Sequence, residues 1–293
     1  VPLRAVCHDA SQGSELSIAQ VRAALEAAGP PVDILGFDAC LMGMIEVAYE
    51  LAPCAKTLVA SEKSIPGAGW PYELVLEGLA ASDDLSARGA ATVLVAAYDR
   101  RYLGDETLAA VDLAAASEAV SAFDLMLAAV LGTGGAEALV DVAEACLASS
   151  PFDYYGYWDF GGLLENLAER ASEKPWGSLA GAALAAYRGA VTTLAEHVWP
   201  PATGLTIYLP PPGHRPFASY NASTLRFAAD TLWPAVLAEL AGLPLVDDAF
   251  APNATPATAK EIACGVEYRL RLLGHYDYFR FTASETGRFT AVL

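Results

Sequence analysis

Asp38 and Cys40 stand two residues apart at the end of an apolar run, in the stretch Val32-Asp-Ile-Leu-Gly-Phe-Asp-Ala-Cys-Leu-Met-Gly43. In extended backbone, side chains two residues apart face the same side, so the carboxylate and the thiol are expected to share one cleft. A cysteine between the end of a strand and the start of a helix is placed for nucleophilic chemistry. Ligands of open α/β sheets bind beyond the carboxyl ends of strands, and the amide end of a helix favours a thiolate. The carboxylate does not activate the thiol, because negative charge opposes a thiolate; it is placed to attract a cationic group of a substrate. Spacing alone leaves a second reading open and favours it: a single cysteine after an apolar strand is more often a core residue than a nucleophile.

The elements that must position this pair follow from pattern. Residues 32–37 are nearly continuously apolar, which suits a central strand covered on both faces in a parallel sheet. From Gly43 to Leu51 the residues Met44, Val47, Ala48 and Leu51 recur at helical spacing, and Pro53 stops that helix. Upstream, Arg4 to Asp9 is expected as a strand and Ser11 to Ser14 as a turn. A helix follows from Ser17, with Gln20 closing a capping box, and ends before Gly29-Pro30-Pro31. Strand, helix and strand together imply a right-handed crossover. Lys56 to Ser61 is the next parallel strand, and its loop from Glu62 to Trp70 emerges at the same edge as Cys40. Gly67 and Gly69 allow unusual backbone angles there and Trp70 offers an apolar wall, so Glu62 and Trp70 are assigned with Asp38 to substrate binding.

Farther along, helices are expected over 83–101 and 114–132, and strands over 107–113 and 203–209. The aromatic cluster from Phe152 to Phe160 is read as packing in preference to a carbohydrate platform, and Asp159 as the cap of a helix over 162–171. His214 lies in a Pro-rich loop and is read as exposed and non-catalytic.

A formal charge of −18 argues against nucleic acid and anionic membranes as partners and would attract cationic peptides. No uninterrupted apolar run reaches membrane-spanning length, so no membrane span is expected. Cysteines 7, 40, 54, 146 and 264 form no Cys-x-x-Cys, and histidines 8, 197, 214 and 275 form no spaced ligand pair, so no metal site is assigned. The odd number leaves at least one thiol free, here taken to be Cys40, while Cys7 and Cys54 are either bridged or buried. No nucleotide-binding fingerprint is present.

The stretch Gly36-Phe-Asp-Ala-Cys-Leu-Met-Gly43 resembles the nucleophile segment of the clostripain family of cysteine endopeptidases. Further segments agree in order: Val59-Ala-Ser-Glu62 with Gly67-Ala-Gly-Trp-Pro-Tyr72, then Asp159-Phe-Gly-Gly-Leu-Leu164, Gly204-Leu-Thr-Ile-Tyr-Leu-Pro210, and Tyr220-Asn221 leading to Phe227-Ala228 and Trp233. The resemblance implies a caspase-like α/β fold, a mostly parallel sheet flanked by helices, over residues 1–244. It places Cys40 as the catalytic nucleophile and Asp38 as the acid that receives a basic P1 side chain, the residue before the scissile bond. It also implies protein or peptide substrates cut after Arg or Lys, and a calcium requirement that no compact Asp-rich loop here supports. The general base of such enzymes is a His in a His-Gly segment upstream of this chain, which is therefore expected to be a fragment, inactive alone. Arg4 lies in the right region to be a processing site, although an ordinary exposed arginine is the favoured reading.

After residue 244 the composition turns to Asp, Pro, Asn and Thr, and short alternating strands follow. Residues 245–293 are similar to the start of a bacterial pre-peptidase C-terminal domain, through Asp247 to Thr255 and Asp277 to Phe281. This adds a truncated C-terminal β-sandwich, with Ala251, Ala254 and His275 departing from the acids usual there. Such appendages accompany secreted proteases, so a secreted or cell-envelope location is expected. The alternative to the enzyme is a non-catalytic surface or adhesion module on the same fold.

Overall fold

The structure is a computed structural model that describes residues 5–9, 11, 13–104, 106–152, 156–197, 201–210 and 215–242, with short pieces at 257, 259–263, 279–280 and 282. Its main sheet has four strands: β3 (Val32–Gly36), β4 (Ala55–Ala60), β5 (Thr107–Asp112) and β7 (Val191–Glu196), in the order β3-β4-β5-β7. β3 and β4 are parallel, whereas β4 with β5 and β5 with β7 are antiparallel. The expectation of a mostly parallel sheet is corrected on this point. Two helices, α3 (Tyr72–Ala81) and α4 (Ala87–Arg101), join β4 to β5. One carries the chain away and the other returns it to the edge where β4 ended, so β5 must run backwards.

Two further expectations change. Among the described residues β3 is an edge strand and Val32 is 40% exposed; the central, nearly fully buried strands are β4 and β5. β1 (Ala5–Asp9) does not join the sheet but pairs antiparallel with β2 (Ser14–Ser17), so no β1 crossover forms. Hydrophobic pattern identifies a strand but not its neighbour, which is decided by which chain edge competes for its amides.

The helices keep closer to the sequence. α1 (Ile18–Ala28) starts on the capping box of Ser17 and Gln20 and stops at Gly29, whose φ of 140° suits a residue without Cβ. α5 (Leu113–Ala129) runs into a π-turn over Val130–Gly134 and then α6 (Gly135–Leu147). By length and composition α5 could cross a membrane, yet its Phe123, Met126 and Leu127 are wholly buried in the main core. Around it lie α2 (Ile45–Leu51), α7 (Phe160–Arg170), α8 (Gly177–Ala190) and α10 (Trp233–Gly242). Phe123 meets Phe160 edge to face at 5.1 Å, and Tyr157 and Phe160 are buried, so the described part of the aromatic cluster serves packing. A small antiparallel pair, β6 (Tyr157–Asp159) with β8 (Thr206–Tyr208), lies over α2, and α9 (Arg226–Asp230) follows. The proposed β-sandwich and His275 fall almost wholly outside the described residues. What is described there is one short parallel pair, β9 (Lys260–Glu261) with β10 (Phe279–Arg280).

Helix α2 follows the Cys40 turn and carries two buried carboxyls that fasten the late chain to it. Glu50 accepts from Arg226 N at 2.7 Å and pairs with Arg22 Nε at 2.9 Å. Glu46 accepts from Tyr208 N at 2.8 Å and from the Tyr220 hydroxyl at 3.1 Å. Burial pushes the Glu46 carboxyl from its ordinary 4.5 up to about 7, against the pull of these hydrogen bonds. A carboxyl raised on folding favours the folded state fully below pH 4.5, and that stabilisation is lost as pH rises through 7. Glu46→Gln, which stays neutral, is expected to escape this loss. Its unfolding free energy relative to the parent should rise by up to about 3 kcal/mol between acid and pH 8, measured by denaturant melts across pH. Parallel pH profiles for the two proteins would refute the assignment.

Candidate active site

β3 ends at Gly36, and the chain then turns rather than entering a helix directly: α2 begins only at Ile45, with Met44 as an uncharged cap. The helix end is therefore five residues beyond Cys40, not beside it as the sequence suggested. Backbone hydrogen bonds hold the turn, from Phe37 N to Val59 O at 2.9 Å, Leu41 N to Lys63 O at 2.9 Å and Gly43 N to Ser61 O at 2.7 Å. Leu41 takes φ of 61°, a left-handed angle that side chains resist, and it is buried. Such backbone strain holds only because the surrounding bonds over-determine it. A Cβ on Gly43 would stand 2.7 Å from the Ser61 carbonyl carbon, so only glycine lets the turn press on the β4 exit. The Gly43 carbonyl in turn accepts from Thr206 N at 2.8 Å, locking β8 beneath the turn.

Cys40 is half-buried, and its Sγ lies against the loop that follows β4, receiving Ile65 N–H at 3.3 Å and facing Ile65 O at 3.9 Å. Asp38 is exposed and ends on the same loop, where its Oδ2 accepts from Trp70 N at 3.1 Å and from the Tyr72 hydroxyl at 3.0 Å. The two side chains thus share one wall, as expected, although the extended backbone that was to align them stops at Gly36. The loop does the aligning. Gly69, at φ of 70°, leaves room for the Asp38 carboxylate, since a Cβ there would come within 2.6 Å of Oδ2. Tyr102 donates to the Gly69 carbonyl at 2.7 Å and closes the loop from the α4 side.

Trp70 is in the loop but only 7% exposed, with its ring packed on β3 against Gly36. It backs the wall rather than offering it an open face. Glu62 departs further from expectation and is corrected: it is 1% exposed and points inward, accepting from Gly204 N at 2.9 Å. Its neighbour is the cap residue Asp159, which accepts from Gly162 N, Thr203 N and Thr203 Oγ1. Burial, then the charge of Asp159, pushes Glu62 well above the usual carboxylate range. Glu62 therefore ties β4 to the residues before β8. Glu62→Ala should strand Gly204 N and lower stability by about 1–3 kcal/mol, while Glu62→Gln keeps that contact and costs less. A steady melting temperature with a raised KM in Glu62→Ala would return Glu62 to the cleft.

Among the described residues no imidazole contacts Cys40. His197 pairs with Asp99 at 2.8 Å, and the side chains of His8, His214 and His275 lie outside the described residues. Cys54 and Cys146 are free and buried, and burial pushes both thiols up, which leaves Cys40 the one free cysteine of the described three that reaches solvent. Cys7 and Cys264 have no described side chain. No group of three or more His, Cys, Asp or Glu gathers among the described residues.

The fold has counterparts among solved structures. A cysteine protease of B. fragilis matches with a TM-score of 0.51 and 19% identity over 80% of this chain and 97% of that one. A clostripain from Bacteroides thetaiotaomicron, solved with a peptide inhibitor, gives 0.54 and 16% over 78% and 96%. A secreted C11 cysteine protease of the same species gives 0.50 and 19% over 71% and 62%. These establish the fold. In sequence, 69 residues are 42% identical to clostripain of Hathewaya histolytica, a stretch covering 20% of this chain and 13% of that protein. Residues 2–174, more than half of the chain, match the family model Peptidase_C11, and on that match the chain belongs to the clostripain family.

Proposed function

We propose that this chain belongs to a secreted cysteine endopeptidase that cuts proteins or peptides after Arg or Lys. The observation that carries the reading is the common wall of Cys40 and Asp38 on the 62–72 loop, in a chain of this family. The Cys40 thiolate attacks the scissile carbonyl carbon and forms an acyl-enzyme, and the leaving amine takes a proton. Water then attacks the acyl carbon and restores the thiol. The backbone amide of Cys40, which has no partner among the described residues, is available to the oxyanion. Asp38 Oδ2 fixes the loop, while Oδ1, without a described partner, faces the basic P1 group. Residues 1–244 form the peptidase unit in this reading, and 245–293 begin the appended β-sandwich. A secreted relative of the same fold supports an extracellular location.

The general base is assigned to an upstream His-Gly segment. The natural full-length protein should hydrolyse a peptidyl-Arg substrate, and the isolated 293-residue chain should be slower by roughly 10²–10⁴-fold, the worth of general-base assistance. Equal turnover would place the base within the chain, with His8 first to be tested. No hydrolysis by the full-length protein of any Arg or Lys peptide would favour the non-catalytic adhesion module.

A further inference from the structure

Tyr72 opens α3 and donates its hydroxyl to Asp38 Oδ2 at 3.0 Å, so its ring adjoins the candidate site. Leu76 stands one helical turn farther on, and the two residues are 55% and 66% exposed. The helix is seated by its other face: Val75 is buried, and Gly78 lies so close to α4 that a Cβ would stand 2.6 Å from Val93 Cγ1. A lone exposed leucine is ordinary on a protein surface. Here a leucine and a tyrosine share one helix face, and the tyrosine is tied to the carboxylate assigned to P1. Glu73 and Glu77, both exposed, flank this apolar strip with the charge that a cationic peptide seeks. The register of an extended substrate decides which of its residues meets the strip. Side chains two residues apart face the same side about 6.7 Å along the chain, and four residues of helix advance about 6 Å. With P1 directed at Asp38, P2 points to the opposite side and P3 returns to the side of Asp38, one step along α3. Cys40 meets the loop at Ile65, whereas Asp38 meets it at Trp70 and Tyr72, so the strip lies beyond Asp38 as seen from the nucleophile. P1 belongs to the acyl half of the substrate, and that half continues over α3.

We propose that Tyr72 and Leu76 form a subsite for a large apolar side chain at P3, two residues before P1, so that the enzyme recognises an apolar residue and a basic one together. This rests on the reading of Asp38 as the acid for a basic P1 residue and adds a second, apolar point of recognition. The test uses the natural full-length protein and peptides with Arg at P1 that differ only in Leu or Ala at P3. A second pair differs in the same way at P2′, the second residue after the scissile bond, and a further peptide carries norleucine at P1. The parent should favour Leu over Ala at P3 by about 5–20-fold in kcat/KM. Leu76→Ser should bring that ratio towards one, and Leu76→Met should keep it. Tyr72→Phe retains the ring and should keep the ratio, whereas Tyr72→Ala should lower it. The ratio compares two peptides on one protein, so a change in folded fraction does not move it. A parent indifferent to P3, or a ratio that Leu76→Ser leaves unchanged, overturns the subsite while the Asp38 reading stands. A leucine preference found at P2′ instead, and lost in Leu76→Ser, overturns its placement on the acyl side. A parent indifferent between Arg and norleucine at P1 overturns both readings.

Discussion

Replacing Cys40 by Ala in the natural full-length protein is expected to abolish peptide hydrolysis, a loss on the order of 10⁴–10⁶-fold, while Cys54→Ala and Cys146→Ala retain activity in proportion to the folded fraction. The distinction is physical. Cys54 and Cys146 are buried and their thiols are pushed up by that burial, so neither presents a thiolate to a substrate. Cys40 is half-buried at the end of a strained turn, with an amide N–H aimed at its sulfur from Ile65. Iodoacetamide should therefore label Cys40 before the other two, and activity should fall in step with that label, followed by peptide mass mapping. A Cys40→Ala protein that still turns over, or a label that collects first on Cys54 with activity lost, would remove Cys40 from the mechanism.

The second large effect concerns Asp38. Asp38→Asn keeps an oxygen for Trp70 N and the Tyr72 hydroxyl but deletes the charge, so the loop stays in place and the attraction for a cation is lost. Its kcat/KM should drop about 10–100-fold for peptides with Arg or Lys at P1 and far less for norleucine, which corresponds to about 1–3 kcal/mol of selective binding. Asp38→Ala removes the clamp as well, and should add a stability loss of about 1–2 kcal/mol and harm every substrate. Equal losses on Arg and norleucine peptides in Asp38→Asn would mean that the carboxylate only fastens the loop.

By itself the sequence determined the local pieces. The capping box at Ser17, the stop at Gly29 and the cap at Asp159 are short-range chemistry, and all three stand where composition put them. Cys40 and Asp38 were singled out by the wording of the motif around them, since spacing alone favoured a core cysteine. Tertiary structure decided what depends on distant neighbours. The direction of β5 followed from two helices rather than one between strands, which no hydrophobic period records. Glu62 looked like a cleft residue because its loop reaches the cleft, but its inward turn is set by Gly204 and Asp159, far along the chain. Glu46 and Glu50 occupy what reads as the polar face of α2 and are buried, because Tyr208, Tyr220 and Arg226 bring donors to that face. Tyr98 and Glu106 carried no signal at all, since a tyrosine in a helix and a glutamate before a strand are ordinary. Only tertiary packing seals the Tyr98 hydroxyl and one Glu106 carboxyl oxygen from water without a described partner.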